Sequence, residues 1–355
     1  TTKLGSCRHL RAPKSGRAFD VFLDALSGKN GEAYLRPESF DAVPTNSYAK
    51  FLKSFNGNPK ERWSKVPRTF GDKPIQAEEL AELFRLGALY CHVKNSHGVA
   101  LSRRLGPRDK DMDISEGTYL RCFVNPKRVH VEYSARKNVV LETDDFIIVD
   151  KPKGLASVAS VDNFVENLHY QTHSQLDIPL WPVQRLDIPT SGLVTFAKTL
   201  EACRAFHQLF KQGTRIGKYY RCVLHRRPSM HDAILPAAGT TLVHWQRKPS
   251  TCRSILFSET YCEDTGCTTE LKLVLQSVNY LTDDTASVYI KLLTGRTHQI
   301  RGQMALLGWP LEGDTMYNGE ERSQSSDPFN PDIYLRAYRL NFTFPGTGKY
   351  YDVVV

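Results

Sequence analysis

Two periodicities run through the chain. In residues 75–90, Leu80, Leu83, Phe84 and the Gly87-Ala88 pair recur at helical spacing. Glu78, Glu79 and Glu82 fall on the other side, early in the helix, where they complement its dipole. The same spacing predicts a helix over 200–211, with Ala205, Phe206, Leu209 and Phe210 on one face. Residues 19–26 and 45–55 read as shorter helices. Runs rich in β-branched and aromatic residues predict strands at 88–93, 119–124, 146–149, 193–197, 219–224, 270–275 and 287–293. Residues 335–344 alternate and are expected to end the sheet. Strands and helices do not alternate regularly, which argues against a doubly wound parallel sheet. The pattern predicts an α+β fold: a mixed, largely antiparallel sheet core flanked by helices, preceded by an α+β extension.

Composition narrows the class. The chain has 355 residues, 41% hydrophobic and 24% charged, enough for two domains or one large domain with extensions. No run of about 18 apolar residues appears, so no membrane span is expected. A net charge of +9 favours polyanionic partners. The eight cysteines are scattered, and only Cys262 and Cys267 lie close together, so neither a zinc ribbon nor a disulfide framework is expected. The reading is intracellular, with cytosol, nucleus, mitochondrion and plastid open. Residues 1–19 carry five basic residues and no acid, which resembles the tail of an organelle transit peptide or an ordinary basic arm. Residues 1–75 show the least regular pattern.

The chemistry concentrates in two segments. Arg185-Leu186-Asp187-Ile188-Pro189-Thr190-Ser191-Gly192 places one carboxylate between aliphatic neighbours on a constrained turn, at the mouth of a buried strand. The plainer reading of Asp187 is a turn aspartate that caps local N–H groups. Far downstream, Gly295-Arg296-Thr297-His298-Gln299-Ile300-Arg301 follows a strand and leads to Gly313-Asp314-Thr315-Met316-Tyr317. Two arginines and a histidine at a strand end form a cationic cluster that can hold a carboxylate ionised or grip phosphates.

These residues carry a resemblance. RLDIPTSGLVTFAKT resembles the catalytic motif of the RluA-type pseudouridine synthases, and GRTHQIR with GDTMY is similar to their downstream motif. Asp150-Lys151-Pro152-Lys153-Gly154-Leu155 resembles their opening segment, and Lys218-Tyr219-Tyr220-Arg221-Cys222 their K-x-Y-x-A. The four stand in family order from about residue 144 to the C-terminus. Departures exist: Gln184 stands where the family most often has His, Cys222 replaces Ala, Gly302-Gln303 replaces Val-His, and Arg336 replaces a His.

The resemblance implies an isomerase that converts specific uridines of structured RNA to pseudouridine, without metal or cofactor. It implies that Asp187 is the catalytic carboxylate and that Arg301 pairs with it. Tyr220 would lie over the uracil face, or simply pack as a strand aromatic. Ile300 would floor the ring and Lys218 would order the site. Arg185 would fill the gap left by a flipped base. Arg296, His298 and Lys151 are phosphate-contact candidates, with His298 ordering its loop as the alternative to a catalytic base. Asp314 reads as a turn residue. The basic residues Lys211, Arg215, Lys218, Arg221, Arg226 and Arg227 form either an RNA-tracking rim or a solvated edge strand. The expected divisions are an extension over 1–75, a small α+β domain over 76–137 with weak likeness to an S4 RNA-binding domain, and a catalytic domain over 138–355. Arg103, Arg104, Arg108 and Lys110 read as a basic loop. Ribosomal, transfer and messenger RNA all remain open as partners, and a monomer is expected. The competing reading is a non-catalytic RNA-binding or RNA-folding protein on the same fold.

Overall fold

In a computed structural model of the chain, residues 7–26, 75–94, 100–126, 128–129, 131–212, 216–247, 255–317 and 333–355 are described. The helix expected over 45–55 lies outside them. The described residues form two compact units. One takes those of 1–128 together with 159–166, the other those of 129–158 and 167–355.

The first unit contains β1 (Cys7–Arg11), β2 (Gly16–Arg17), α1 (Ala18–Leu26), α2 (Ala77–Leu86), β3 (Leu89–Lys94), β4 (Ala100–Leu105), β5 (Asp113–Ile114) and β6 (Tyr119–Phe123). An antiparallel sheet runs in the order β1-β6-β3-β4. Helix α2 begins where Glu79 accepts the Gln76 N–H at 2.9 Å and stops at Gly87, whose φ of +65° suits a residue without Cβ. Its buried Leu80 and Phe84 meet α1, with Phe22 edge-on to Phe84 at 6.0 Å. Arg103 and Arg104, expected in a basic loop, are strand residues of β4. Arg103 pairs with Asp109 at 2.5 Å. Arg104 donates to the Gly87 and Ser160 carbonyls at 3.0 and 2.7 Å. Strand pairing with β3 draws both side chains into contacts within the unit. Residues 159–166 join this unit although the other unit flanks them in sequence: Phe164 N–H donates to Leu86 O and Tyr90 OH to Val161 O, each at 2.7 Å.

The second unit contains α3 (Ala135–Asn138), β7 (Val139–Glu142), β8 (Phe146–Lys151), α4 (Leu168–Leu176), β9 (Trp181–Pro182), β10 (Ser191–Ala197), α5 (Leu200–Gln212), β11 (Ile216–His225), β12 (Thr241–Arg247), β13 (Phe257–Ser258), β14 (Cys267–Tyr280), β15 (Thr285–Leu292), α6 (Gln299–Leu306), β16 (Leu335–Thr343) and β17 (Tyr350–Val354). Among the described residues they build one mixed sheet, ordered β13-β12-β14-β15-β11-β16-β10-β8-β7, with β9 on β10 and β17 on β16. The β10–β16 pair is parallel and the other pairs are antiparallel.

Strand alternation divides the buried side chains between two cores. Ile147 and Val149 of β8 join Val194, Tyr220, Ile290 and Ile300. Phe146 and Ile148 join Leu193, Phe206 and Phe342 against α5. Residues of β10 are buried along its whole length, as expected of a strand covered on both sides. Gly192 lies in β10 with φ +111°, and a Cβ there would collide with the Ala337 carbonyl of β16.

Two expectations change. Residues 335–344 do not end the sheet, because β16 lies between β11 and β10 and carries β17 on its C-terminal half. The basic stretch around Tyr220 is not an edge strand, because β11 is paired on both sides by β15 and β16. Arg226 there pairs with Asp284 at 2.7 Å, while Arg215 lies outside the described residues. No helix among the described residues is long and apolar enough to cross a membrane.

Candidate active site

Asp187 is fixed through the backbone on both sides. The Ser157 hydroxyl accepts the Leu186 N–H at 2.9 Å and donates to the Leu186 carbonyl at 2.8 Å. The Ile188 carbonyl accepts from Gly154 N–H at 2.9 Å and from Lys151 Nζ at 3.1 Å. The Asp187 carbonyl takes the Thr190 N–H at 3.0 Å, closing the turn. The Asp187 side chain is left 23% exposed, with no hydrogen bond to either carboxylate oxygen among the described residues.

Lys151 therefore does other work than a phosphate contact. It is fully buried at the end of β8, and its Nζ also donates to the Pro152 and Leu155 carbonyls at 3.0 and 2.7 Å. Three carbonyls use all three ammonium donors. Burial depresses its pKa to about 7, against the pull of Asp187 and Asp150. The residue staples the opening motif to the Asp187 loop.

The downstream motif is held by a buried amide network. Gln299 accepts the Arg296 N–H at 3.1 Å and the Thr294 hydroxyl at 2.9 Å, and donates to Lys272 O at 3.1 Å and Gln303 Oε1 at 3.0 Å. Gln303, at a departure from the family pattern, reaches His244 Nδ1 at 2.9 Å. His298 stands just before α6 with φ +56°, a left-handed conformation that is costly for a residue with Cβ.

Arg301 is buried at the meeting point of the two motifs. Its Nε and Nη2 grip Asp314 at 2.7 and 2.8 Å, in a fork in which the carboxylate side chain is fully buried. Burial opposes the arginine's charge, but the Asp314 pair more than offsets this and holds its pKa above the ordinary value. Asp314 is thus the arginine's partner as well as a turn residue accepting the Met316 N–H. Sequence reading pairs Arg301 with Asp187 alone. The structure leaves 4.0 Å between Nη1 and Asp187 Oδ2. His298 Nε2 stands 4.0 Å from the other oxygen, Oδ1.

Tyr220 is buried on the same sheet face, and burial together with Asp187 raises its pKa. Ile300 is 4% exposed within the adjoining core. Lys218 is depressed by burial and by Arg296 nearby. Arg185 and Arg296 are exposed, and no carboxylate pairs with them among the described residues. Arg185 reaches the Thr297 hydroxyl at 3.4 Å, which links the two motif loops. Sequence reading missed Ser157, the pairing role of Asp314 and the contacts of Tyr317. The GDTMY segment was a signal for the last two; a lone Ser in an irregular loop gave none.

The sequence model of a family described as RNA pseudouridylate synthase matches residues 145–306. The dual-specificity RNA pseudouridine synthase RluA of Escherichia coli O6:H1 is 32% identical over 215 residues, covering 59% of this chain and 89% of that protein. The chain belongs to the RluA-type pseudouridine synthase family. The chloroplastic RNA pseudouridine synthase 6 of Arabidopsis thaliana is 30% identical over 230 residues, 60% of this chain and 47% of that protein. The chain spans about half the length of the chloroplastic relatives it matches. Among solved structures, human RNA Pseudouridylate Synthase Domain Containing 1 is 25% identical, with a TM-score of 0.46, covering 65% of this chain and 85% of that one. Within the RluA-type family pattern, Arg336 takes the place of a histidine and pairs with Asp150 at 2.7 Å. That departure lies on β16 and leaves Asp187, Tyr220 and Arg301 in place.

Proposed function

We propose that the protein is an RNA pseudouridine synthase that isomerises uridines in structured RNA, with Asp187 as its catalytic carboxylate. One observation carries the reading. Each oxygen of Asp187 is faced by a cationic or imidazole nitrogen at 4.0 Å, yet neither is tied by a hydrogen bond. A carboxylate so placed keeps its lone pairs for an electron-poor carbon of the substrate.

The reaction breaks the C1′–N1 bond and forms C1′–C5, so the base must detach, turn and lose its C5 hydrogen. Arg301 balances the charge of Asp187. Tyr220, held protonated by burial, offers a ring face for the uracil and a hydroxyl for moving a proton. Ile300 floors the ring. Exposed Arg185 occupies the space vacated when the target nucleotide is extruded, and Arg296 takes a phosphate. Lys218 adds positive charge beside Arg296. The unit of residues 129–158 and 167–355, which begins somewhat before the boundary at 138 expected from sequence, is the catalytic one, acting intracellularly as a monomer, and the other α+β unit adds RNA contacts.

The test is tritium release from RNA labelled at uridine C5, taken from cells lacking the protein. Wild type is expected to release tritium and Asp187→Ala to release none. RNA binding without release by wild type on total cellular RNA would sink the isomerase reading in favour of a non-catalytic RNA-binding protein.

A further inference from the structure

Tyr317 closes the GDTMY segment and has no part in the chemistry above. It is nonetheless held from several sides. Its carbonyl accepts from Arg227 Nη2 at 2.8 Å. Phe257 meets its ring edge-on at 5.7 Å, and the Arg301 guanidinium lies over the ring at 5.2 Å. Phe257 in turn rests against Gly302, where any Cβ would strike its ring. The phenol cannot drift, so its two polar contacts are well defined.

Those contacts have a direction. The Ile255 backbone N–H lies 3.3 Å from the Tyr317 oxygen, and an amide can only donate. The second contact is His298 Nδ1, at 2.9 Å. The phenol proton has one acceptor among the contacts of the described residues, and that is Nδ1. A neutral imidazole carries one proton, so accepting at Nδ1 leaves that proton on Nε2. Nε2 is the nitrogen that faces Asp187 Oδ1 at 4.0 Å.

We propose that Tyr317 is a positioning residue, whose hydroxyl donates to His298 Nδ1 and thereby fixes His298 as the neutral Nε2–H tautomer, with its proton on the side of Asp187. The tautomer is inferred from the contacts alone; its catalytic consequence rests on the isomerase reading. In this state His298 cannot take a proton at Nε2. Its N–H faces one oxygen of Asp187 at 4.0 Å, without a hydrogen bond, while Arg301 faces the other at the same distance. The groups facing His298 are Asp187, Arg301, Asp314, Arg185 and Tyr317. Burial first, then Arg301 and Arg185, oppose a second proton, and Asp187 and Asp314 favour one; the balance keeps its pKa below the ordinary value. A second proton at Nδ1 would also force the Tyr317 hydroxyl to turn away.

The experiment uses the full chain with 15N-labelled histidine, assigned by the signal lost in His298→Gln. Long-range 1H–15N correlations distinguish the two neutral tautomers without any turnover. The wild type is expected to show His298 protonated at Nε2 alone. Tyr317→Phe keeps the ring and removes the hydroxyl, leaves Nδ1 without its donor, and is expected to let His298 take a second proton, or sample the Nδ1–H form, at higher pH than in the wild type. Loss of a partner that sets the tautomer is then expected to lower kcat by about tenfold, with KM changed less than twofold. The acidic limb of the kcat–pH profile would move to higher pH, because the protonated imidazole becomes easier to form. A wild-type spectrum with the proton on Nδ1 overturns the proposal, and so does an unchanged tautomer and pH profile in Tyr317→Phe. If that variant does not fold, the wild-type spectrum alone decides. Absence of isomerisation on every RNA would count against the isomerase reading and leave the spectrum intact as the test of the tautomer.

Discussion

Arg301 stands between two aspartates supplied by two different loops, and it treats them differently. Asp314 is buried and bound through two short bonds at 2.7 and 2.8 Å. Asp187 is part-exposed and stands off at 4.0 Å. The tied carboxylate aims the guanidinium and leaves its Nη1 facing the other, which is not captured. On the proposed reading, a single aspartate would have to be both partner and reactant. The division of labour explains why a buried charge pair, usually weak evidence for stability, belongs in this site.

The comparison can be broken from either side. The largest effect is expected at Asp187. Asp187→Asn preserves size and removes the charge, and turnover should fall on the order of 10⁴-fold or more, while RNA affinity in filter binding stays within twofold. Asp314→Ala should act on stability instead: it leaves a buried guanidinium uncompensated, at a cost of about 3–5 kcal/mol in urea unfolding. Should Asp187→Asn prove as destabilising as Asp314→Ala, the contrast between the two would be wrong.

Lys151→Met tests the staple beneath the Asp187 loop. It keeps the stem volume but takes the ammonium donor from the Pro152, Leu155 and Ile188 carbonyls, of which the Leu155 bond is buried, for a loss of roughly 1–3 kcal/mol by the same measurement. Smaller still is the pH effect. Burial lowers the pKa of both His298 and His244, so in the unfolded chain these imidazoles take up protons below about 6.5 that the folded chain refuses. The unfolded state then binds more protons, and unfolding free energy should decrease as pH falls through and below that value and recover above it. Replacing both with Gln should flatten that part of the curve.

Much of the second unit was legible because its signals are local. The run 193–197 after a Pro-Thr-Ser-Gly turn gave β10, and the one-sided apolar face of 200–211 gave α5. What was not legible depends on pairing across long separations. Residues 335–344 alternate as an edge strand does, but β16 is interior because β17 and β10 share its far side. Lys151 reads from sequence as a phosphate contact, and only the approach of Ile188, 37 residues on, turns it into a buried donor. Asp314 looked like a turn residue because it is one; its second task arises from the fold of α6. The resemblance placed Asp187, Tyr220 and Arg301 near one another. It did not reveal that the arginine's closer partner would be Asp314.

Gly192 has a consequence beyond its strand. Ala337 leaves it no room for a Cβ, so even alanine would wedge β10 from β16 and loosen the turn that presents Asp187, five positions earlier. A saturation library sorted only for folded protein should therefore retain almost nothing but glycine at 192 and pass many residues at 187. The same library sorted for turnover should reject both. Setting one map against the other would separate the carriers of chemistry from the carpentry that holds them, without reference to any relative.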